Sequence, residues 1–414
     1  MPRLPSTTVD PALDAAALLR RLGFFGLFVA LPVCAQVSRR ATVVLAPIAV
    51  VLLITASAID RRQRAVDTSL RRLLTAPAFL AGMLVVFWSA LSLAWTPFPG
   101  PASERFGNLL FTVAMTLLAY LALPDRMRSA NLYLLPLGVG AASVVAILIA
   151  LAGDVMFRGT PNGDSALERG AIVIALLVWP AVAWLRSRRR DTESLVLAVL
   201  AAAALVTAPV STPLFALAIG ALAFALTHAR VSLGVRVTAT VAAGLLVFAP
   251  LLPFLARPVG VALLGPTAPG VLALKAWQKL VALEPLRLIT GHGLETALRG
   301  RVFGIVPANA PTTMLFELWY ELGIVGAFAM AFALYRAIHR TGRDATALVP
   351  CAMAAFATAF AIGGVGVGLT VVWWLTTVAL TILTFVAVER GQFRHSRPKV
   401  GRIPRLPVRG GPQA

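Results

Sequence analysis

Thr312-Thr313-Met314-Leu315-Phe316-Glu317-Leu318-Trp319-Tyr320-Glu321-Leu322-Gly323-Ile324-Val325-Gly326 is the stretch on which the reading of this chain turns. It follows Pro311, as a helix start does, and leads into the apolar run Leu322–Ile338. Thr313, Glu317 and Glu321 fall at i, i+4 and i+8, a polar stripe on an otherwise apolar and aromatic helix. Carboxylates entering a membrane span are costly unless they face protein or water, which makes them functional candidates. The plainer alternative is that they are hydrogen-bonded groups packing one helix against the loop before it.

The rest of the chain has the same membrane character. It is 59% hydrophobic and only 13% charged, with a mean hydropathy of +0.85. A soluble domain is about half apolar and about a quarter charged. Lipid admits only helices and closed barrels as spanning structures, and apolar runs of roughly 15 to 22 residues without two-residue alternation select helices. The expected architecture is an all-α integral membrane protein of about twelve transmembrane helices, with one long loop containing amphipathic helices. It divides into an N-terminal bundle of about nine helices over 1–256, a loop over 257–321, C-terminal spans over 322–388 and a basic tail over 389–414.

The net charge of +20 does not indicate nucleic acid, because the arginines stand in short clusters between apolar runs. They set orientation and attract anionic membrane lipids. The positive-inside rule then expects both termini in the cytoplasm and the long loop outside, with Arg39-Arg40 departing from the pattern. Cys34 and Cys351 both lie inside apolar runs, so no disulfide framework, metal site or cofactor is indicated.

The loop carries most of the candidate chemistry. Val271–Leu283 reads as an amphipathic helix with Leu274, Trp277, Gln278 and Val281 on one face and Lys275 and Lys279 on another; Pro285 ends it. Those lysines face either lipid headgroups or an anionic substrate. His292 sits between Gly291 and Gly293, where backbone can approach a neighbour closely, and such a His is either structural or catalytic. Arg158, Glu168 and Arg169 lie in a shorter segment on the same expected side. Arg169 directly precedes a span beginning at Gly170, near a helix N-terminus that would favour an anion.

Three patterns together resemble the bacterial O-antigen ligase and polymerase family. They are Leu288-Ile289-Thr290-Gly291-His292-Gly293-Leu294-Glu295-Thr296 after a Trp-bearing helix, Glu321-Leu322-Gly323-Ile324-Val325-Gly326 after the loop, and Glu168-Arg169-Gly170 opening a span that ends in Val178-Trp179-Pro180. The resemblance covers roughly residues 150–340 and includes the layout of the spans.

It implies glycan transfer at the periplasmic face of the inner membrane, from a polyprenyl-diphosphate-linked glycan to a lipid A–core or other glycan acceptor. Diphosphate is a good leaving group, so such an enzyme mainly needs cations to hold it and a base for the acceptor hydroxyl. On the resemblance, Arg169, His292 and Glu321 are the catalytic candidates. Arg158, Lys275, Lys279, Arg287, Glu295, Arg299 and Thr312 are the candidates for substrate binding. Thr312 stands where the family usually has a His, and Ala273 where it has a loop Arg, with Lys275 two residues on. The base would then be His292 or Glu321. A polymerase of the same family, a transporter for a lipid-linked compound, and a non-catalytic envelope scaffold are the alternatives.

Overall fold

The computed structural model describes residues 11–60, 75–156, 163–343, 347–368 and 371–392. The described chain is helical throughout, which is what an apolar sequence must adopt if its backbone is to be satisfied without water. In chain order the helices are α1 (Pro11–Cys34), α2 (Ala41–Ile59), α3 (Pro77–Ser92), α4 (Pro99–Ala122), α5 (Ser129–Met156) and α6 (Gly163–Ser187). They continue with α7 (Asp191–Val206), α8 (Thr212–Ala229), α9 (Val231–Val247), α10 (Leu252–Leu264) and α11 (Pro269–Leu283). The series ends with α12 (Arg287–Thr290), α13 (Thr296–Val302), α14 (Met314–Arg343), α15 (Val349–Val365) and α16 (Val372–Arg390).

Among the described residues, 8 helices are long and apolar enough to cross a membrane, or 9 if the bent pair α9–α10 is one span. This is a multi-pass helical membrane protein. The shorter apolar helices α3 and α15 pack among the long ones, α3 along α14 and α15 along α8.

Two cores organise the bundle. The larger surrounds α6, whose membrane window is 83% buried where no other span exceeds 44%. A helix apolar on every side belongs at the centre, and α6 supplies Ile172 to Leu185 almost without a polar break. The second core joins α3, α9, α11 and α14 through Val85, Leu246, Trp277, Phe316 and Trp319.

Several boundaries differ from the sequence reading. The Pro-rich stretch 96–108, which by its turn-forming residues would be expected to be a connection, is already helical from Pro99, because Pro suits the first turn of a helix, where its missing N–H is no loss. The span expected to run to Ala256 ends at Val247 and bends by 67° into α10. Glu389 and Arg390, assigned to the tail, complete α16. Helix α6 begins at Gly163, so Arg169 sits in its second turn and not at its N-terminus. Helix α11 covers the expected amphipathic segment, with Trp277 buried and Lys275 and Lys279 exposed.

Candidate functional site

Helix α14 is broken at the Glu321-Leu322-Gly323 step. Gly323 has φ 62° and ψ −158°, a conformation that only glycine adopts readily, and helical geometry resumes after it. The break frees three successive carbonyls, and each finds a donor from elsewhere in the chain. The His292 N–H donates to the Tyr320 carbonyl at 2.8 Å and the Gly293 N–H to the Glu321 carbonyl at 3.0 Å. The indole N–H of Trp88, on α3, donates to the Leu322 carbonyl at 2.8 Å.

Gly291 and Gly293 also have positive φ, of 75° and 95°. A Cβ at Gly291 would strike the Glu321 backbone, and one at Gly323 would strike Ile289 and Gly291. The two Gly-bearing motifs singled out in the sequence are thus two halves of one backbone-to-backbone contact.

That contact sets the side chains. Glu295, Glu317 and Glu321 are 4%, 3% and 1% exposed and converge at the loop end of the bundle. Arg105, from the second turn of α4, lies among them: its guanidinium bonds the Glu295 carboxylate and stands 3.8 Å from Glu317. Arg301, on α13, is 4.0 Å from Glu317, and Arg299 is 3.5 Å from Glu295. The backbone N–H of Ala297 donates to Glu321 Oε1 at 3.1 Å. Burial lowers the Arg301 pKa, Glu317 and Glu321 hold it up, and Arg105 lowers it further.

Two largely covered guanidiniums and the exposed Arg299 at the rim balance the three buried carboxylates in charge, as buried charges require. Two atoms of it are buried without a hydrogen-bond partner, Glu321 Oε2 and Arg301 Nη2, an acceptor and a donor in one cluster. Glu295 itself has φ 71°, a left-handed backbone costing roughly 1–2 kcal/mol for a non-glycine residue. Such strain persists where neighbours over-determine the position, and Arg105 and Arg299 do so here.

The loop is clamped from below by the α3–α4 connection. Thr96 Oγ1 donates to the Leu294 carbonyl at 2.8 Å, and Ser92 Oγ accepts the Leu294 N–H at 3.2 Å. A Cβ at Gly368, in the α15–α16 connection, would land on the Glu317 carboxylate, so backbone closes that side of the cluster. Along α4, Asn108, Thr112 and Thr116 continue from Arg105 into an apolar groove. The groove has a volume of about 160 Å³, and the N-terminal halves of α2 and α16 and the middle of α4 line most of it, with Val43, Val50, Val372 and Leu380 among its walls.

Of the sequence candidates, Glu321, Glu295 and Arg299 belong to this cluster. His292 adjoins it: its ring stacks on Tyr320 with centroids 4.0 Å apart, Nδ1 is 3.0 Å from the Tyr320 carbonyl and Nε2 is 3.0 Å from Glu284. Both ring nitrogens therefore face acceptors, and the ring reads as a fastener between turn and helix.

Arg169 is elsewhere. It donates to the Arg39 carbonyl at 2.9 Å and lies over the Trp373 ring at 5.0 Å. Lys275, Lys279, Arg287 and Thr312 are exposed, and Arg158 lies outside the described residues. The sequence reading missed Arg105, Arg301, Trp88, Ser92 and Thr96. Only Arg105 carried a signal, a cation two turns into a helix that Pro99-Gly100-Pro101 could have announced.

Among the described residues no group of three His, Cys, Asp or Glu side chains is placed to hold a metal ion. Compared with family models, with curated proteins and with solved structures, the chain matches none of them.

Proposed function

We propose that this protein transfers a glycan from a polyprenyl-diphosphate carrier to a lipid A–core or other glycan hydroxyl, at the periplasmic face of the bacterial inner membrane. In this reading the chain crosses the membrane about twelve times, counting the short helices and α9 alone, with both termini cytoplasmic and α10–α13 outside. The observation that carries it is the buried cluster of Arg105 and Arg301 with Glu295, Glu317 and Glu321, holding one buried donor atom and one buried acceptor atom without hydrogen-bond partners.

The chemistry needs those two functions in one place. The acceptor hydroxyl oxygen attacks the anomeric carbon of the donor sugar, and the bond to the diphosphate oxygen breaks with its electron pair. Arg301 and Arg105 meet the charge that develops on the departing diphosphate. The hydroxyl proton passes to the Glu321 carboxylate, whose free Oε2 has no competing donor. The groove descending along α4 suits the donor's hydrocarbon chain and supports a lipid-linked substrate over a soluble one.

A transport reading has one observation behind it, the broken span α14 with charged groups at the break, since discontinuous helices line substrate sites in transporters. One experiment separates the two. A deletion strain is complemented with wild type, Glu321→Gln or Arg301→Gln, and its carrier-linked glycan is tested for attack by an added periplasmic glycosidase. The transferase reading expects carrier-linked glycan to accumulate in the deletion strain and both variants, exposed to the glycosidase. Accumulation shielded from the glycosidase would replace it with transport, and an unchanged glycan profile in both variants would remove the cluster from the function.

A further inference from the structure

The groups at the loop end of the bundle account for α11 to α13 but leave the outer face of α10 unexplained. This helix turns away from α9 at Phe248–Leu251 by 67° and is 13 residues long. One side of it is held by protein. Gln278 on α11 accepts from Arg257 at 2.7 Å and donates to the Pro253 carbonyl at 2.8 Å, and a Cβ at Gly260 would touch Val271.

The opposite side is apolar along its length. Leu251, the last residue of the bend, and Leu255, Val259 and Leu263 on the helix recur every fourth residue and are 54%, 70%, 58% and 78% exposed. Arg257 is the only charged residue of the helix, and it faces α11.

A stripe of large side chains this exposed does not stand in water. At 1.5 Å per residue the helix is ~20 Å long, too short for a hydrocarbon core of about 30 Å. It continues directly from the apolar helix α9, and Lys275 and Lys279 are exposed on the helix it packs against, as cations at headgroup level are.

We infer that α10 is an interfacial helix, lying in the plane of the membrane with Leu251, Leu255, Val259 and Leu263 in the acyl-chain boundary of the leaflet nearest the loop. This does not depend on the transferase reading. It has a consequence for depth: the Trp319 indole N–H donates to the Leu246 carbonyl at 2.6 Å, tying α14 to the bend. The Glu317–Glu321 cluster is thereby held at headgroup level, where the polar part of a lipid-linked molecule would lie.

The test is spin-label accessibility on the full chain in phospholipid nanodiscs, with the native thiols removed by Cys34→Ser and Cys351→Ala. Labels are introduced singly through Leu251→Cys, Leu255→Cys, Val259→Cys, Leu263→Cys and Lys275→Cys. These sites are exposed, so labelling disturbs little packing, and variants are compared only if they keep the parent's elution profile. Two variants on the stripe suffice.

The expected result is more frequent collision with oxygen than with a water-soluble nickel chelate on the stripe, and the reverse at Lys275. Labels at Leu251 and Leu263 should report the same depth. A preference for the nickel chelate on the stripe would overturn the proposal. So would shielding from both reagents, which would mean a protein partner covers the face. A depth difference approaching ~18 Å between Leu251 and Leu263 would make α10 an upright re-entrant helix instead.

Discussion

Arg105 is the residue on which the charged cluster depends. It is the cation closest to both Glu295 and Glu317, and its side chain is 10% exposed. Removing one member of a buried charge set leaves the others uncompensated, a cost of about 3–5 kcal/mol. Arg105→Gln is therefore expected to lower the thermal unfolding midpoint of the detergent-solubilised protein strongly. Glu321→Gln should lower it less, since the charge is lost but the amide oxygen can still accept from Ala297 N–H. The pair of melting curves separates a structural ion from a chemical one. His292 answers the opposite question: if it only fastens the turn, His292→Gln should cost stability but leave measurable transfer.

At the scale of elements, the break in α14 is a designed discontinuity supported from three sides. The sequence motif Glu321-Leu322-Gly323 continues an apolar helix, and only the positive φ of Gly323 reveals that the helix stops and restarts. Gly323→Ala is expected to destabilise by more than the roughly 1–2 kcal/mol of left-handed backbone, because its Cβ also meets Ile289 and Gly291. Gly291→Ala should match it, since its Cβ meets the other half of the same contact. Trp88→Phe keeps the ring but strands the Leu322 carbonyl, an effect of about 1–3 kcal/mol read as faster amide exchange around the break. Were all three substitutions neutral in thermal unfolding, the interlocked contact would not be what holds the cluster together.

Across the whole molecule, residues far apart in sequence are brought to one end: Ser92, Thr96 and Arg105 from the first half, the 291–301 loop, and the start of α14. The groove then links that end to the lipid-facing interior through α4. Thr112→Trp, placed in the groove wall, should weaken use of a long-chain carrier on the order of tenfold by displacing about two methylenes, and should spare a short-chain donor analogue. Equal loss with both donors would separate the groove from the reaction.

The membrane class, the helical fold, the amphipathic α11 and the polar stripe of Glu317 and Glu321 were all legible in the sequence, because each follows from local periodicity and the cost of bare backbone in lipid. Glu295 could be flagged only as a member of a motif, and its partners could not be found, since pairing across 190 residues leaves no local trace. Arg169 would favour an anion only with a helix beginning beside it, and with α6 covering Gly163–Ser187 it lies inside the helix instead. Tertiary structure alone decided that two glycine motifs lock into one another, that Arg105 fills the space between three carboxylates, and that α10 lies off the axis of α9. Each of these depends on which helix ends meet, and hydropathy counts helices without saying which of their ends are neighbours.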